Sequence, residues 1–589
     1  MTVAPPTAPG PAVAAPGPRP ADGSPPARGP AADGSPCSVA DLLRRAAAER
    51  PEVDAVLTPR GRAGDPTRTY DALTFAELDA AADRFAAALA SRGVRRGERV
   101  ALMVRPGGRF AVAVFGTLRA GAAAVLIDPG LGVPAVLRCL REVSPTGFVG
   151  EPIAVAAARA VGRLDGVKAW VSAGRAVPGA IGWERFGTLG PSDFSPPAMG
   201  RTDPAAVIFT SGSTGLAKGV AYEHGMFLAQ IEHLRAGYDL PPGEVDVPAF
   251  PLFALFDVGL SATMIVPRMH PSRPAHVRPE EILGPIRERS ATRAFGSPAL
   301  WKKVLKDAAD RGVTLPSVTA LLSAGAPIPP RTHEWARAVL PAGAQLHTPY
   351  GATEALPVCT TGTDEILGET AARTREGAGT CVGQPFPGVS LRVVAEVQGP
   401  IDSIDEATDL PTGEIGEVIV SGPAVTREYV NRPEQTRRAK IADPAAPTGV
   451  WHRMGDVGYL DDRGRLWFCG RQAHVVRTTD GPIYPVRGEA VLNELPAVRR
   501  TAIVGVGDPG RQRPVIVVEC EPGARTAALR EELRERAAAS PVIGPPRAVL
   551  FRKTLPTDVR HNTKIDRAAL ADWATRLLAS PLRRRLARA

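Results

Sequence analysis

Apolar residues recur along this chain in patterns that predict alternating helices and strands. Between about 40 and 200, segments rich in Ala and Leu alternate with short Val-rich runs, such as 99–104 and 123–127. A short continuous apolar run is typical of a buried strand, and strands that alternate with helices form mostly parallel sheets. Ser38 can cap the first helix. We therefore expect an α/β fold.

The pattern changes in the second half of the chain. A second α/β region follows residue 219 and includes the apolar run 319–327. From about 380 to 470 the segments become shorter and rich in strand-forming residues. Turns are predicted there at Pro387-Gly388, Thr412-Gly413 and Arg463-Gly464. The last hundred residues predict a small α+β domain, with strands near 501–506 and 514–520 and helices near 525–540 and 566–579.

At 589 residues the chain is too long for one hydrophobic core, so several domains are expected. Residues 1–36 are dominated by Pro, Ala and Gly without a periodic apolar face, which predicts a disordered tail. Residues 37–471 are expected to form a large N-terminal domain of mixed, largely parallel sheets with a β-rich subdomain. Residues 472–580 are expected to form the small C-terminal domain, and residues 581–589 a basic tail.

Composition argues against several classes of protein. The chain is 44% hydrophobic, but charged residues interrupt every long apolar stretch, so no transmembrane segment is predicted. The N-terminus lacks the basic flank and apolar run of a secretory signal, which makes the cytoplasm the expected location. The six cysteines have no Cys-x-x-Cys spacing, which argues against a zinc site and against a disulfide framework.

The net charge of +10 does not indicate a nucleic-acid-binding protein. Much of the excess is a C-terminal group without acidic residues: Arg576, Arg583, Arg584, Arg585 and Arg588. This group is interpreted either as a solvated helix end or as a docking site for an acidic partner or membrane surface. Aromatic residues make up only 5% of the chain and do not alternate with basic ones, so no nucleic acid partner is expected.

The strongest chemical signal is the segment FTSGSTGLAKG at 209–219, which follows the apolar run 205–209. Glycines let backbone N–H groups face an anion, hydroxyl groups add neutral donors, and an ammonium group neutralises phosphate charge. The segment is not a Walker A sequence, because no Ser or Thr follows Lys218. A flexible surface loop is the other interpretation, but a position after a strand favours phosphate binding. The candidate contacts are Thr210, Ser211, Gly212, Ser213, Thr214, Gly215 and Lys218.

Further segments carry groups that an ATP-using enzyme needs. In TPYGATE, Tyr350 offers an aromatic face for a base and Glu354 a carboxylate for Mg²⁺. Asp456, in WHRMGD, could accept hydrogen bonds from both ribose hydroxyls, and Arg471 offers a planar donor fork. Lys564 lies in an otherwise polar segment near the end. Each of these residues alone also fits an ordinary turn or surface position.

Jointly, these segments resemble the adenylate-forming superfamily, which includes acyl-CoA synthetases, nonribosomal adenylation domains and firefly luciferase. The resemblance covers about 40–570 and implies that ATP and Mg²⁺ are used. It implies that the glycine loop binds the pyrophosphate end of ATP, that Glu354 is the magnesium ligand, and that Asp456 and Arg471 contact ribose. Further nucleotide contacts implied by the resemblance are Gly325, Ala326, Pro327, Tyr350, Gly351 and Thr353.

The resemblance also implies a mechanism and three catalytic residues, Lys564, Lys218 and Glu354. A carboxylate attacks an α-phosphorus that is itself anionic, so cations must neutralise the oxygens on which charge accumulates. Lys564 would bridge the carboxylate and the α-phosphate, pyrophosphate would leave, and an acyl-AMP would remain. The small C-terminal domain that carries Lys564 is expected to be mobile and to turn on a hinge just after Arg471.

Other features point to a narrower group. Ala473 stands where the hinge residue is usually Asp or Lys, and the segment 472–481 is one residue longer than usual, which puts transfer to CoA in doubt. Several segments are similar to the β-lactone synthetases of bacterial olefin biosynthesis: 126–132, 250–256, 295–300, 350–357, 451–459 and 467–471. That likeness implies adenylation of a 2-alkyl-3-hydroxy fatty acid and closure of a cis-β-lactone by its own hydroxyl. It also implies other olefin-pathway enzymes as partners, a β-lactone decarboxylase and a ketone reductase.

Several questions stay open in the sequence. Phe250, Phe253 and Phe256 either line an acyl pocket or fill the core. The base for the 3-hydroxyl is not identified, and His224, His233 and His347 are equal candidates. A long-chain fatty acyl-CoA or acyl-carrier-protein ligase is the alternative enzyme. A noncatalytic adenylate-binding scaffold is disfavoured by the intact set of Lys218, Glu354, Asp456 and Lys564.

Overall fold

The computed structural model describes residues 36–579 except 66, 162–163, 192, 211–216, 251–252 and 558–564, and it describes no side chains for 253–255. The expected disordered tail, apart from residue 36, and the expected basic tail therefore lie outside the described residues. Within the described residues, no helix combines the length and the apolar content needed to cross a membrane. None of the six cysteines, all of which are described, forms a disulfide.

Helices flank the sheets throughout the chain. The first begins where the sequence predicts, because the Ser38 hydroxyl accepts a hydrogen bond from the Asp41 backbone N–H and the Asp41 carboxylate accepts one from Ser38 N–H. The helices are α1 Val39–Glu49, α2 Phe75–Ser91, α3 Gly108–Arg119, α4 Val133–Val143, α5 Pro152–Val161, α6 Trp183–Phe186, α7 His224–Tyr238, α8 Phe253–Gly259, α9 Glu280–Glu288, α10 Pro298–Asp310, α11 Pro330–Val339, α12 Thr363–Glu365, α13 Ala371–Arg375, α14 Pro433–Ala439, α15 Pro485–Leu492, α16 Ala527–Ala539 and α17 Arg567–Ala579. A π-helical turn, Ile366–Thr370, connects α12 to α13.

Two seven-stranded sheets form the centre of the N-terminal region. In spatial order, the first contains β7 Ile181–Gly182, β6 Ala169–Ser172, β5 Gly147–Gly150, β3 Arg99–Met103, β4 Ala123–Leu126, β8 Pro204–Phe209 and β9 Gly219–Glu223. The second contains β14 Gln345–His347, β13 Ala320–Ser323, β12 Arg293–Gly296, β10 Val245–Pro248, β11 Thr263–Ile265, β1 Asp54–Arg60 and β2 Thr69–Thr74. All pairs are parallel except the edge pairs β1–β2 and β8–β9. The predicted α/β fold with largely parallel sheets is confirmed.

The predicted β-rich region is a third, antiparallel sheet. In spatial order it contains β15 Tyr350–Ala352, β16 Ala355–Thr360, β17 Thr380–Pro385, β22 Leu466–Arg471, β21 Val450–Leu460, β19 Gly416–Ser421 and β18 Ser390–Val394, and β20 Lys440–Ala442 pairs with β21. The turn predicted at Arg463-Gly464 joins β21 to β22, and Gly464 has a φ of +71°. The sheet therefore places β21 and β22, which carry two predicted ribose contacts, side by side.

The C-terminal region is smaller. Its sheet contains β25 Val498–Val506, β26 Arg513–Cys520 and β27 Ala548–Phe551, with α15, α16 and α17 packed against it. The unusual segment 472–481 starts with a 3-10 turn, Gln472–His474, and continues into a hairpin of β23 Val476–Thr478 and β24 Gly481–Ile483. A large N-terminal domain and a small C-terminal domain are thus present, while the boundary at residue 471 stays a prediction.

A buried ion cluster holds α8 against the second parallel sheet. The Arg293 guanidinium on β12 donates to Glu244 at 2.6 Å, to Asp246 on β10 at 3.0 Å and to Asp257 on α8 at 2.8 Å. All four side chains are at least nine-tenths buried. Burial and the neighbouring Asp246 carboxylate raise the pKa of Asp257 well above its ordinary value, although Arg293 opposes this rise. The cluster therefore favours a protonated Asp257.

Arg293→Met is expected to lower the free energy of unfolding by about 3–5 kcal/mol, because it leaves buried carboxylates without their counter-charge. Denaturant unfolding of the variant and the wild type measures this loss. Arg289→Met, at an exposed position before β12, is the control and should change stability by less than about 0.5 kcal/mol. A loss as small as that of the control would contradict the role of the cluster.

Asp257→Asn should change how stability depends on pH. Because the folded-state pKa of Asp257 is raised, the folded protein retains a proton that the unfolded chain releases. The retained proton contributes to the free energy of unfolding. This contribution is fully present below the ordinary Asp pKa of about 3.9 and is lost as the pH rises through the raised pKa of Asp257 in the folded protein. Asparagine does not titrate, so the variant should gain stability relative to wild type as the pH rises above the ordinary Asp pKa. Parallel pH dependences of the two melting temperatures would contradict this account.

Candidate active site

A cleft of about 2750 Å³ opens at the carboxyl ends of the parallel strands, where open α/β sheets bind ligands. Its walls include the ends of β3, β4 and β8 from the first sheet and of β10, β12 and β13 from the second. The described residues predicted to bind nucleotide or metal all line it: Thr210, Lys218, Gly325, Ala326, Pro327, Tyr350, Gly351, Thr353, Glu354, Asp456 and Arg471. Lys564 and the loop residues Ser211, Gly212, Ser213, Thr214 and Gly215 lie outside the described residues.

The glycine loop connects two antiparallel strands. Phe209 on β8 pairs with Gly219 on β9, and the Thr210 N–H donates to the Lys218 carbonyl at 3.0 Å. β8 and β9 therefore form an antiparallel pair at the edge of the sheet, and α7 begins only after β9. The Lys218 ammonium lies 4.7 Å from the centre of the Tyr429 ring, which is within the range of a cation–π contact.

The two predicted ribose contacts face each other across neighbouring strands. Asp456 on β21 is the register partner of Arg471 on β22, and the Arg471 guanidinium lies 3.1 Å from the Asp456 carboxylate. The Tyr350 hydroxyl donates to the second Asp456 oxygen at 2.6 Å. Burial, followed by the charge of Asp456, raises the pKa of Tyr350 well above its ordinary value. Tyr350 therefore stays a neutral phenol that fixes the carboxylate, in addition to any stacking with a base.

Glu354 is held by side-chain and backbone contacts. Its carboxylate accepts a hydrogen bond from the Tyr429 hydroxyl at 2.6 Å, and its backbone carbonyl accepts from Thr426 N–H at 2.9 Å and Thr426 Oγ1 at 3.0 Å. Within the described residues, no group of three or more His, Cys, Asp or Glu side chains could hold a metal. Mg²⁺ is commonly bound by one or two carboxylates together with substrate phosphates, and a single Glu354 carboxylate at the cleft fits that arrangement.

Two buried basic residues near Glu354 were missed by the sequence reasoning. Lys440 on β20 is the register partner of His452 on β21, and its ammonium donates to Thr426 Oγ1 at 3.2 Å. Burial lowers the pKa of Lys440 to about 7, although the Glu354 carboxylate opposes this shift. The register that brings Lys440 beside His452 has no local signal in the sequence.

His452 lines the cleft as a neutral imidazole. Burial lowers its pKa well below the ordinary value, and Lys440, Lys218 and Arg471 add to the effect. Its Nδ1 lies 3.1 Å from the Ala439 carbonyl, which can only accept, so Nδ1 carries the proton. Nε2 is then a lone-pair acceptor. The histidine of WHRMGD could have been noted beside Asp456, but its tautomer depends on the fold.

The three histidines considered as bases are not among the described residues that line the cleft. His224 Nδ1 accepts a hydrogen bond from Val39 N–H at 3.2 Å, which ties α7 to α1. His233 packs edge-on against Phe386, and His347 packs against Tyr238. Burial lowers the pKa of all three, to about 4 for His224 and His347. These positions favour structural roles.

The far end of the cleft is apolar. Phe250 and Phe295 lie there with ring centres 6.3 Å apart, and the buried Phe256 also lines the wall. Phe256 belongs to the main core as well, so it both lines the cleft and fills the core. The side chain of Phe253 lies outside the described residues. This end offers an apolar surface of the kind that an alkyl chain needs.

The C-terminal region closes another side of the cleft. Ala473, Ile565 and Arg567 are among its lining residues. Ile565 pairs with Thr557 in an isolated antiparallel bridge, which joins the two ends of the segment that contains Lys564. The Arg477 guanidinium on β23 donates to Glu396 at 2.6 Å and so connects this region to the β-rich sheet. The altered hinge position therefore lies at the cleft.

Comparisons with known proteins agree with this geometry. Residues 43–430 match the family described as AMP-binding enzyme, and residues 488–560 match the AMP-binding enzyme C-terminal domain. The olefin beta-lactone synthetase of Xanthomonas campestris is 43% identical over 91% of this chain and 97% of its own length. The enzyme of the same name from Stenotrophomonas maltophilia is 42% identical over 92% of this chain and 98% of its own length.

Solved structures show the same fold. The crystal structure of an anthranilate CoA ligase in complex with anthranoyl-AMP has a TM-score of 0.73 and 21% identity, over 93% of this chain and 99% of that one. At that identity the likeness concerns the fold alone, whereas the matched family regions and the two relatives span most of the sequence. The chain therefore belongs to the AMP-binding enzyme family and is an AMP-forming ligase related over most of its length to olefin beta-lactone synthetases.

Proposed function

We propose that this protein uses ATP to adenylate a 2-alkyl-3-hydroxy fatty acid and then closes the acyl-AMP to a cis-β-lactone. The proposal is supported above all by one observation, that every described residue of the predicted nucleotide site lines a cleft with an apolar end. The two relatives named olefin beta-lactone synthetase give it further support. In an olefin pathway, a ketone reductase would supply the hydroxy acid and a β-lactone decarboxylase would consume the lactone.

In the first step, a carboxylate oxygen of the acid attacks the α-phosphorus of ATP and pyrophosphate leaves. Asp456 and Arg471 bind the ribose, and Gly325, Ala326, Pro327, Tyr350, Gly351 and Thr353 surround the rest of the nucleoside and the α-phosphate. Lys218 and the loop residues before it bind the pyrophosphate end. Lys564 neutralises charge between the carboxylate and the α-phosphate. Glu354 would hold Mg²⁺, which would supply further neutralisation of the phosphate oxygens.

In the second step, the 3-hydroxyl oxygen bonds to the acyl carbon, the bond from that carbon to the phosphate oxygen breaks, and AMP leaves. The hydroxyl proton passes to the phosphate of the departing AMP or to water. Because the nucleophile is already part of the substrate, no CoA is needed, and a well-oriented intramolecular attack can reach effective molarities of about 10⁵–10⁸ M. Strain in the four-membered ring reduces this advantage. Ala473 and the altered segment after it are consistent with an enzyme that does not form thioesters.

A reaction without CoA separates this proposal from the acyl-CoA ligase alternative. Enzyme, ATP, Mg²⁺ and a 2-alkyl-3-hydroxy acid should give β-lactone, AMP and pyrophosphate, detected by NMR and chromatography. The matched 2-alkyl acid without the hydroxyl is the control and should give no lactone. Product that appears only as a thioester after CoA is added would overturn the lactone step. Failure to exchange pyrophosphate with any acid would favour a noncatalytic scaffold.

Lys564→Ala should abolish adenylation while ATP binding stays within about threefold of wild type, because the lysine is needed only where charge develops in the transition state. Pyrophosphate release measures adenylation, and a nucleotide-binding titration measures ATP affinity. Lys553→Ala, at an exposed lysine of the same region, is the matched control and should be fully active. Normal turnover of Lys564→Ala would refute its assigned role.

Glu354→Gln should raise the Mg²⁺ concentration needed for half-maximal pyrophosphate release at least about tenfold, since even outer-shell partners of bound metals typically contribute that much. Glutamine is nearly the same size and can still accept the hydrogen bond from Tyr429. Glu376→Gln, at an exposed glutamate, is the control. An unchanged Mg²⁺ dependence of Glu354→Gln would show that this carboxylate does not hold the metal.

A further inference from the structure

Helix α7 presents three residues to the apolar end of the cleft. Phe227, Gln230 and Leu234 lie at i, i+3 and i+7, so they share one face of the helix, and all three line the cleft. Phe227 and Leu234 are buried apolar side chains, as a core-facing helix requires. Gln230 is only 1% exposed and interrupts this apolar face with an amide. A buried amide at such a position needs a hydrogen-bond partner.

Among the described residues, neither Gln230 Oε1 nor Nε2 makes a hydrogen bond of acceptable distance and angle. The amide lies close enough to the Tyr222 hydroxyl to act on it as a hydrogen-bond donor, which opposes the rise in the pKa of that phenol caused by burial. This contact occupies the amide N–H side and leaves Oε1 without a partner among the described residues. The Tyr222 hydroxyl itself donates to the Thr353 carbonyl. Gln230 thus differs from a glutamine in a satisfied core network.

Gln230 lies near the segment of the cleft at which the carboxyl end of the substrate would react. Thr353 directly precedes Glu354 in the segment that we assign to the α-phosphate and the metal, and Tyr222 connects this segment to Gln230. Its helix neighbours Phe227 and Leu234 line the cleft with apolar side chains, and the Phe227 ring centre lies 6.5 Å from that of Phe256. The amide therefore lies where a polar segment meets an apolar one, as an acyl group does near its carboxyl end.

An unsatisfied buried amide costs stability, and Leu or Met at the same helical position would avoid this cost. A ligand hydroxyl group can offset it, because the amide oxygen accepts the O–H and the hydroxyl oxygen keeps its lone pairs. An acyl chain without a hydroxyl would leave the amide unpaired. Sites built in this way reject analogues that lack the hydroxyl far more strongly than apolar pockets reject a change of one methylene.

We propose that Gln230 binds the 3-hydroxyl of the acyl substrate and makes the enzyme selective for 3-hydroxy acids. The inference rests on the proposed function and deepens it by assigning substrate selection to one side chain. A hydrogen bond from the hydroxyl to Gln230 Oε1 directs the oxygen lone pairs away from the amide, toward the acyl carbon. Gln230 acts as a specificity and positioning residue and takes up no proton.

The test compares two acids of equal chain length, a 2-alkyl-3-hydroxy acid and the same 2-alkyl acid without the hydroxyl. Pyrophosphate release gives kcat/KM for adenylation of each. The wild-type enzyme should favour the hydroxy acid by about 10- to 100-fold. Gln230→Met has nearly the same volume without the amide, and it should bring this ratio close to one. The loss should fall on the hydroxy acid, while kcat/KM for the other acid stays equal or rises.

Ile231→Met, at a buried position of α7 that is not among the described residues lining the cleft, is the matched control and should keep the wild-type ratio. Melting temperatures and circular dichroism check folding, and Gln230→Leu replaces the Met variant if that variant does not fold. A ratio near one in wild type, or a ratio unchanged in the Gln230 variants, would overturn the inference. Adenylation of the hydroxy acid without lactone formation would overturn the proposed function instead, and the substrate ratio would still test Gln230.

Discussion

The pairing of Asp456 with Arg471 across two neighbouring strands is the interaction on which the rest of the site depends. Both residues are fixed by the backbone register of β21 and β22, so their separation does not depend on loops. His452, Met454 and Asp456 on β21 all line the cleft. The guanidinium of Arg453 on the same strand binds the Glu417 carboxylate on β19 at 2.8 and 2.7 Å. One strand thereby anchors the sheet and supplies the cleft with polar groups.

The charge of the cleft is smaller than its count of basic residues suggests. His452 is neutral because burial and neighbouring cations lower its pKa, and the pKa of Lys440 is lowered to about 7. Lys218 lies over the ring of Tyr429, whose hydroxyl binds the Glu354 carboxylate, and Arg471 lies 3.1 Å from the Asp456 carboxylate. A protein that must bind a multiply charged phosphate therefore limits the mutual repulsion of its own cations before the ligand arrives.

Local patterns were sufficient for much of the fold and for identifying residues that line one cleft. Ser38 caps α1, the apolar run before Thr210 is β8, and Gly464 occupies its predicted turn, because each depends on residues close in sequence. The features that the sequence did not predict depend on pairing between strands whose register has no local pattern. The antiparallel pairing of β8 with β9 on either side of the glycine loop has no local signal, and neither has the approach of Lys440 to His452.

Gln230 shows a second reason why the sequence alone does not identify every residue of the site. A glutamine in a helix is unremarkable in sequence, and its meaning appears only when the helix face, the burial and the missing partner are known together. The histidines His224, His233 and His347 show the reverse case, since they attract attention by residue type but pack into the protein away from the cleft. Residue type suggests chemistry, whereas burial and contacts decide whether it can be used.

The two hydrogen bonds from Thr426 to the Glu354 carbonyl have a consequence for how such a site can be rebuilt or inherited. Glu354 depends on Thr426 and Tyr429, which lie more than seventy residues away in sequence, and Thr426 in turn accepts a hydrogen bond from Lys440. If the segment around Glu354 were exchanged alone between related enzymes, it would lose its hydrogen bonds from Thr426 and Tyr429. Recombination would therefore preserve activity mainly when residues 354–440 are inherited as one block.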